Sequence, residues 1–152
     1  MKARLLEKIR NELRAQLLRL TQAAQEAHAA ATDAGSKAES KYDTRNLEAS
    51  YLASGQAKQV DELAEALRLF EAFDVTISDG GDAIVMGSLV ETSFSSHNAW
   101  FLLAPSAGGL EIECEGHEVT VLTPASPLYQ QLLGKRLGEV LNKPALRVVG
   151  IL

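Results

Sequence analysis

The stretch Leu6-Glu7-Lys8-Ile9-Arg10-Asn11-Glu12-Leu13-Arg14-Ala15-Gln16-Leu17 decides the reading of this chain. Apolar residues recur at Leu6, Ile9, Leu13, Leu17, Leu20, Ala24, Ala27 and Ala31, in alternating steps of three and four. That spacing keeps one narrow apolar stripe on one helix face, the width that a partner helix needs. A second run, Ala49, Ala53, Ala57, Val60, Leu63, Leu67 and Phe70, repeats the pattern. Between the runs lies the polar Thr32-Asp33-Ala34-Gly35-Ser36-Lys37. The pattern predicts two long helices folded back on each other, each roughly 45 Å long if about 30 residues are helical.

Proline is absent before Pro105, and no aromatic residue precedes Tyr42, as expected of a thin helical arm packed by alanine and leucine. The first helix is expected to end near Gly35 and the second to begin after Asp43 or Thr44, either of which can cap an N-terminus. Towards the tip the stripe residues shrink to alanine, and Gly55 reads as a point of close helix approach.

After Asp74 the pattern changes to short runs rich in β-formers: Ala83 to Val90, Ala99 to Leu103, Leu110 to Cys114, Val119 to Leu122 and Leu146 to Ile151. Gly80-Gly81, Gly108-Gly109 and Glu115-Gly116-His117 separate them as turns. One short helix interrupts the strands, with Ser126 as N-cap, Pro127 as its first residue and Gly134 as its stop. The expected organisation is a helical hairpin over residues 1–75 and a small antiparallel α+β domain over residues 76–152.

Composition narrows the function classes. A net charge of −5 argues against a protein held mainly by nucleic-acid phosphates. The basic residues Lys2, Arg4, Lys8, Arg10 and Arg14 cluster on the first helix, where they read as a solvated face or as an electrostatic contact with an acidic partner or, weakly, with RNA. A single cysteine, Cys114, excludes an internal disulfide and a cysteine-built zinc site. No run reaches the length of a signal peptide or membrane span, so a cytoplasmic monomer without membrane contact is expected. No phosphate-binding glycine loop or nucleophile elbow is present. His28, His97 and His117 fall on three different elements and read as surface residues. Alternation accounts for Glu111-Ile112-Glu113-Cys114-Glu115, with the glutamates outward and Ile112 and Cys114 inward.

Over nearly its whole length the chain resembles the Gre family of bacterial transcript-cleavage factors. The residues that carry the resemblance are Val121-Leu122-Thr123-Pro124-Ala125-Ser126-Pro127-Leu128, Leu132-Leu133-Gly134-Lys135-Arg136-Leu137-Gly138-Glu139 and Gly87-Ser88-Leu89-Val90. The resemblance implies an N-terminal antiparallel coiled coil followed by an FKBP-like domain. It also implies that the globular domain docks on RNA polymerase, with Ser126, Pro127, Leu128, Gly134 and Lys135 as docking candidates, while the hairpin enters the secondary channel. Family members carry an Asp and then Glu-Asn-x-Glu-Tyr at the tip, where two acids help the polymerase hold a second Mg²⁺. Here Asn46 and Glu48 match, whereas Tyr42 stands at the Asp position, Arg45 at the first Glu position and Ala49 at the Tyr position. Asp43, one residue from the expected acid, and Glu39 are the carboxylates left to share that Mg²⁺. No cofactor is expected on the chain alone, and the resemblance implies a protein factor rather than an enzyme. Two rival readings are a peptidyl-prolyl isomerase, which requires an aromatic-lined pocket from Phe94, Trp100, Phe101 and Tyr129, and a coiled-coil adaptor with no role at the polymerase.

Overall fold

The computed structural model describes the backbone of residues 1–32, 45–74 and 82–152, and the side chains of 1–30, 54–74 and 82–152. Two long helices come first, α1 (Lys2–Thr32) and α2 (Arg45–Glu71). Five strands follow: β1 (Leu89–Phe94), β2 (His97–Leu103), β3 (Glu111–Cys114), β4 (His117–Leu122) and β5 (Arg147–Ile151). A one-and-a-half-turn helix, α3 (Pro127–Leu132), precedes the last strand. The class is α+β, as the sequence pattern indicated. The expected helix caps around Gly35 and Asp43 and the Gly80-Gly81 turn lie outside the described residues.

The chain forms two compact units. Residues 12–66 make one, and Met1–Asn11 together with Leu67–Leu152 make the other. Helix α1 leaves the second of these and α2 returns to it, which is the connectivity of a helical hairpin. The inclusion of helix ends in the globular unit has a clear physical cause. Leu5, Ile9 and Phe70 are completely buried and Leu6 nearly so. Each such side chain withdrawn from water is worth about 1.5–3 kcal/mol.

The sheet order is β3-β4-β2-β1-β5. Neighbours β1–β2, β1–β5 and β3–β4 are antiparallel, but β2 and β4 run parallel, with Trp100 opposite Val119 and Leu102 opposite Val121. The sheet is therefore mixed, and the expectation of a wholly antiparallel sheet is corrected. The turn after β2 carries the chain past the neighbouring position to β3, and the β3–β4 hairpin then folds β4 back into the gap. Ala107, at φ 63°, and Gly109, at φ 83°, bend that connection.

Both sheet faces are covered. On one, Val90, Leu103, Leu122 and Val148 form a core with Ile84, Leu141, Leu146 and the α3 residues Tyr129 and Leu132. On the other, Leu89, Leu102, Val119, Val121 and Cys114 alternate with them and are fully buried. This second face belongs to the same unit as the buried residues of α1 and α2. Strand edges differ from the expected runs in two places. Ala83 makes only an isolated bridge to Arg136, and Gly87, at φ 97°, turns the chain before β1 begins. The β1–β2 hairpin turns at Ser95-Ser96 with Ser95 at φ 54°, a left-handed turn with no glycine to announce it. In α2, a Cβ at Gly55 would meet no atom within 4 Å among the described residues.

Candidate functional site

Of the residues that carry the family resemblance, 123–128 and 132–139 lie on α3 and the segments that flank it, while Val121-Leu122 ends β4 and residues 87–90 lead into β1. Ser126 is the N-cap, with extended backbone at φ −79° and ψ 129°, and Pro127 occupies the first turn where no N–H is needed. The Ser126 hydroxyl makes no capping bond; the entry is held instead by the Ser126 N–H to the Thr123 carbonyl at 2.8 Å and by Gln130 Nε2 to the Pro124 carbonyl at 2.8 Å. Leu128 is half-buried against the core, and Tyr129 and Leu132 are buried within it. Burial pushes the Tyr129 phenol above its ordinary value.

The helix stops at Gly134, which takes φ 79°. Its N–H donates to the Ile84 carbonyl at 2.7 Å, and the Ile84 N–H donates back to the Lys135 carbonyl at 2.7 Å. Four residues later, Gly138 N–H donates to the Val148 carbonyl at 2.8 Å and Val148 N–H to the Glu139 carbonyl at 2.9 Å. The loop is thus pinned at both ends to separate parts of the sheet domain. Glu139 folds over it, accepting the Arg136 N–H at 2.6 Å and the Lys135 ammonium at 3.5 Å. The Arg136 N–H, with the adjoining positive charge of Lys135, holds the Glu139 carboxyl below its ordinary 4.5.

Between the C-terminal part of α3 and this loop lies an open cleft of about 610 Å³. Leu133, Val140 and Leu141 supply its apolar lining, and Lys135 and Lys143 its charges. Of the docking candidates read from the sequence, Lys135 lines the cleft and Gly134 shapes its wall, while Ser126, Pro127 and Leu128 sit at the opposite end of α3. Sequence reasoning missed Val140, Asn142 and Lys143; the apolar spacing of Leu137, Val140 and Leu141 around Gly138 was the available signal.

The basic residues at the start of α1 have partners within their own unit. Arg4 Nη1 pairs with Glu115 at 3.2 Å, joined by the N-terminal amine at 3.6 Å. Lys8 donates to the Glu113 carbonyl at 2.9 Å, and Lys2 to the Leu152 carbonyl at 3.4 Å. Arg10 is half-buried and Arg14 exposed. The Glu115 carboxylate, in the turn after β3, and the Glu113 backbone carbonyl thus meet cations of α1 at the sheet edge, a use that alternation alone did not reveal.

The hairpin-tip candidates Glu39, Tyr42 and Asp43 lie outside the described residues, and Arg45, Asn46 and Glu48 fall in the first turns of α2, where only the backbone is described. Among the described residues no group of three or more His, Cys, Asp and Glu side chains is placed to hold a metal ion. His97 and His117 begin separate strands, and the His117 ring lies 5.0 Å from that of Trp100. Trp100 and Phe101, being consecutive in β2, face opposite sides of the sheet. Trp100 therefore does not share a pocket with Phe101, which packs against the cluster that contains Tyr129. No helix among the described residues is long and apolar enough to cross a membrane.

Solved structures similar to this chain include GreA factor homolog 1 (Gfh1) of Thermus thermophilus, at 21 % identity over 94 % of each chain with a TM-score of 0.37. The chain is similar to these Gre-factor homologues. Gfh1 of Thermus aquaticus matches at 22 % identity, covering 93 % of this chain and 92 % of that one, with a TM-score of 0.37. A further structure of the transcription factor Gfh1 matches at 23 % identity, with the same coverage and a TM-score of 0.35. At these scores the likeness assigns neither a site nor a partner. No protein-family model matches the chain, and no curated protein matches it.

Proposed function

We propose that this protein is a Gre-like transcription factor that docks its sheet domain on bacterial RNA polymerase and inserts its helical hairpin into the secondary channel. The observation that carries this reading is the α3 segment. The residues of the family resemblance, Ser126-Pro127 and Leu132 through Glu139, are built into one short helix and one pinned loop at the surface. Two long helices ahead of a sheet domain provide the matching order of parts. The protein is a factor and not an enzyme: any RNA cleavage is the polymerase's own Mg²⁺ chemistry, to which Asp43 and Glu39 are the carboxylates the tip can lend.

Arg45 sets the direction of the effect. A guanidinium in the position of a metal-ligating carboxylate adds a fixed positive charge beside Mg²⁺ and removes two oxygen ligands. The expected activity is polymerase binding with weak or no stimulation of cleavage of backtracked RNA, so that the protein modulates elongation in the cytosol. Pull-down with purified bacterial polymerase tests the docking. Transcript-cleavage assays with Arg45→Glu combined with Tyr42→Asp test the tip, and should show increased cleavage. Asp43→Asn should remove residual activity while leaving binding intact. Robust wild-type cleavage that survives Asp43→Asn would overturn the role given to the tip, and failure to bind polymerase would overturn the whole reading.

A further inference from the structure

The cleft behind α3 has a composition unlike the rest of the chain. The protein carries a net charge of −5, yet of the described residues that line this cleft none bears a carboxylate. Its polar lining comes from Lys135, Lys143 and the carboxamides of residues such as Gln131 and Asn142. Glu139, next to Val140 in sequence, is already committed to the Arg136 N–H and the Lys135 ammonium. An ammonium has three donors, so Lys135 retains capacity after that contact. Lys143 is exposed and has no ion-pair partner among the described residues.

The apolar part is as distinctive. Leu133 is 43 % exposed and Val140 50 %. Leu133 and Val140 line the cleft together, held out to solvent on either side of a loop pinned at Gly134 and Gly138, and give it an apolar surface for which water is a poor neighbour. The backbone frame continues through the Leu141 N–H to the Leu146 carbonyl at 2.7 Å, so the cleft is formed before anything occupies it. A preformed site avoids the ordering cost that mobile loops incur on binding.

We infer that this cleft binds an acidic segment of a partner protein, with an aliphatic side chain seated against Leu133 and Val140 and carboxylates on Lys135 and Lys143. The inference rests on the docking reading, since Gly134 and Lys135 are among its docking candidates, and deepens it by assigning the chemistry of the bound segment. A peptide test on the chain alone can fail while the polymerase pull-down succeeds, and the reverse. A nucleic acid fits the cleft less well. No aromatic or arginine side chain lines it for base stacking, and exposed aliphatics gain nothing from a phosphate backbone.

The test uses the full chain with a short fluorescent peptide of Leu, Asp and Glu, its Asn/Gln counterpart, and a fluorescent RNA oligonucleotide. Anisotropy should show binding of the acidic peptide that weakens as salt is raised. The carboxamide peptide, and the acidic peptide on Lys143→Glu, should each bind roughly tenfold more weakly. Val140→Ser should also weaken binding, with the Trp100 fluorescence of the folded protein unchanged. Amide NMR shifts on peptide addition should cluster over residues 130–143. Equal binding of the two peptides, unchanged affinity in Lys143→Glu, shifts centred elsewhere, or no peptide binding at all would each overturn the inference. RNA binding that is lost in Lys143→Glu while the peptide fails to bind would overturn it in favour of a nucleic-acid site.

Discussion

Replacing Phe70 by alanine tests whether the helix ends and the sheet fold as one body. Phe70 is completely buried, belongs to the same compact unit as the sheet, and makes an edge-on contact with Phe73 at 6.2 Å between ring centres. A buried Phe→Ala change costs about 3–5 kcal/mol, from lost transfer energy and the cavity left behind. With a urea m-value of about 2 kcal/mol/M, the midpoint should fall by roughly 1.5–2.5 M. The assay has a favourable probe, because the chain's single tryptophan, Trp100, is on β2, in the sheet and not in the helices. If the unit is cooperative, Trp100 fluorescence and helical circular dichroism should report the same lowered midpoint. Leu69, next to Phe70 but 37 % exposed, is the control, and Leu69→Ala should cost less than about 1 kcal/mol. An unshifted Trp100 transition in Phe70→Ala, alongside a weakened helical signal, would show that the helix end is not part of the cooperative sheet unit.

Three further outcomes follow from other parts of the structure. Residues 76–152 expressed alone lack Leu5, Leu6, Ile9, Leu67 and Phe70, so their urea transition should be broad or shifted well below that of the full chain; an identical transition would contradict the packing described. Gly134→Ala should lower stability by about 1–2 kcal/mol through the left-handed backbone alone, because a Cβ there meets no atom within 4 Å, and thermal unfolding would reveal its absence. Glu139 has a lowered folded pKa, so its contribution is present above the ordinary carboxyl value of 4.5 and is lost as pH falls through the lower folded value. The stability gap between wild type and Glu139→Gln should therefore narrow below pH 4.5, and a gap that is the same at pH 3 and pH 6 would rule out the ionised carboxylate, held chiefly by the Arg136 N–H, as its source.

What was legible in the sequence is what nearest neighbours along the chain decide. The three-four stripe from Leu6 to Ala31 and that from Ala49 to Phe70 specify helices without reference to anything distant, and α1 and α2 occupy those runs. Ser126-Pro127 and Gly134 each act on a backbone position within their own turn, and the short helix starts and stops where they place it. The alternation of Ile112 and Cys114 with the glutamates of β3 is likewise local, and Cys114 is buried as that pattern requires. Ser95 shows where local reading fails. A left-handed residue in a two-residue hairpin is usually announced by glycine or asparagine, and a serine in that position gives no such signal.

The remaining features depend on partners far apart in sequence. The parallel pairing of β2 with β4 is a choice of which edge β4 occupies, and the same alternating residues would suit either edge. The Lys8 contact with the Glu113 carbonyl spans 105 residues, so a face that reads as solvated in isolation is partly spent on the protein's own strand edge. The candidate site has the same origin. Lys135 could be read from the turn motif, but its cleft exists because Ile84 and Val148 hold the two ends of the loop and set Val140 and Lys143 opposite α3. The sequence motif therefore gives the helix and its stop, while the sheet determines which surface that stop creates. A substitution on the sheet side that loosened the Val148–Glu139 bond would disturb the cleft without changing any residue that lines it.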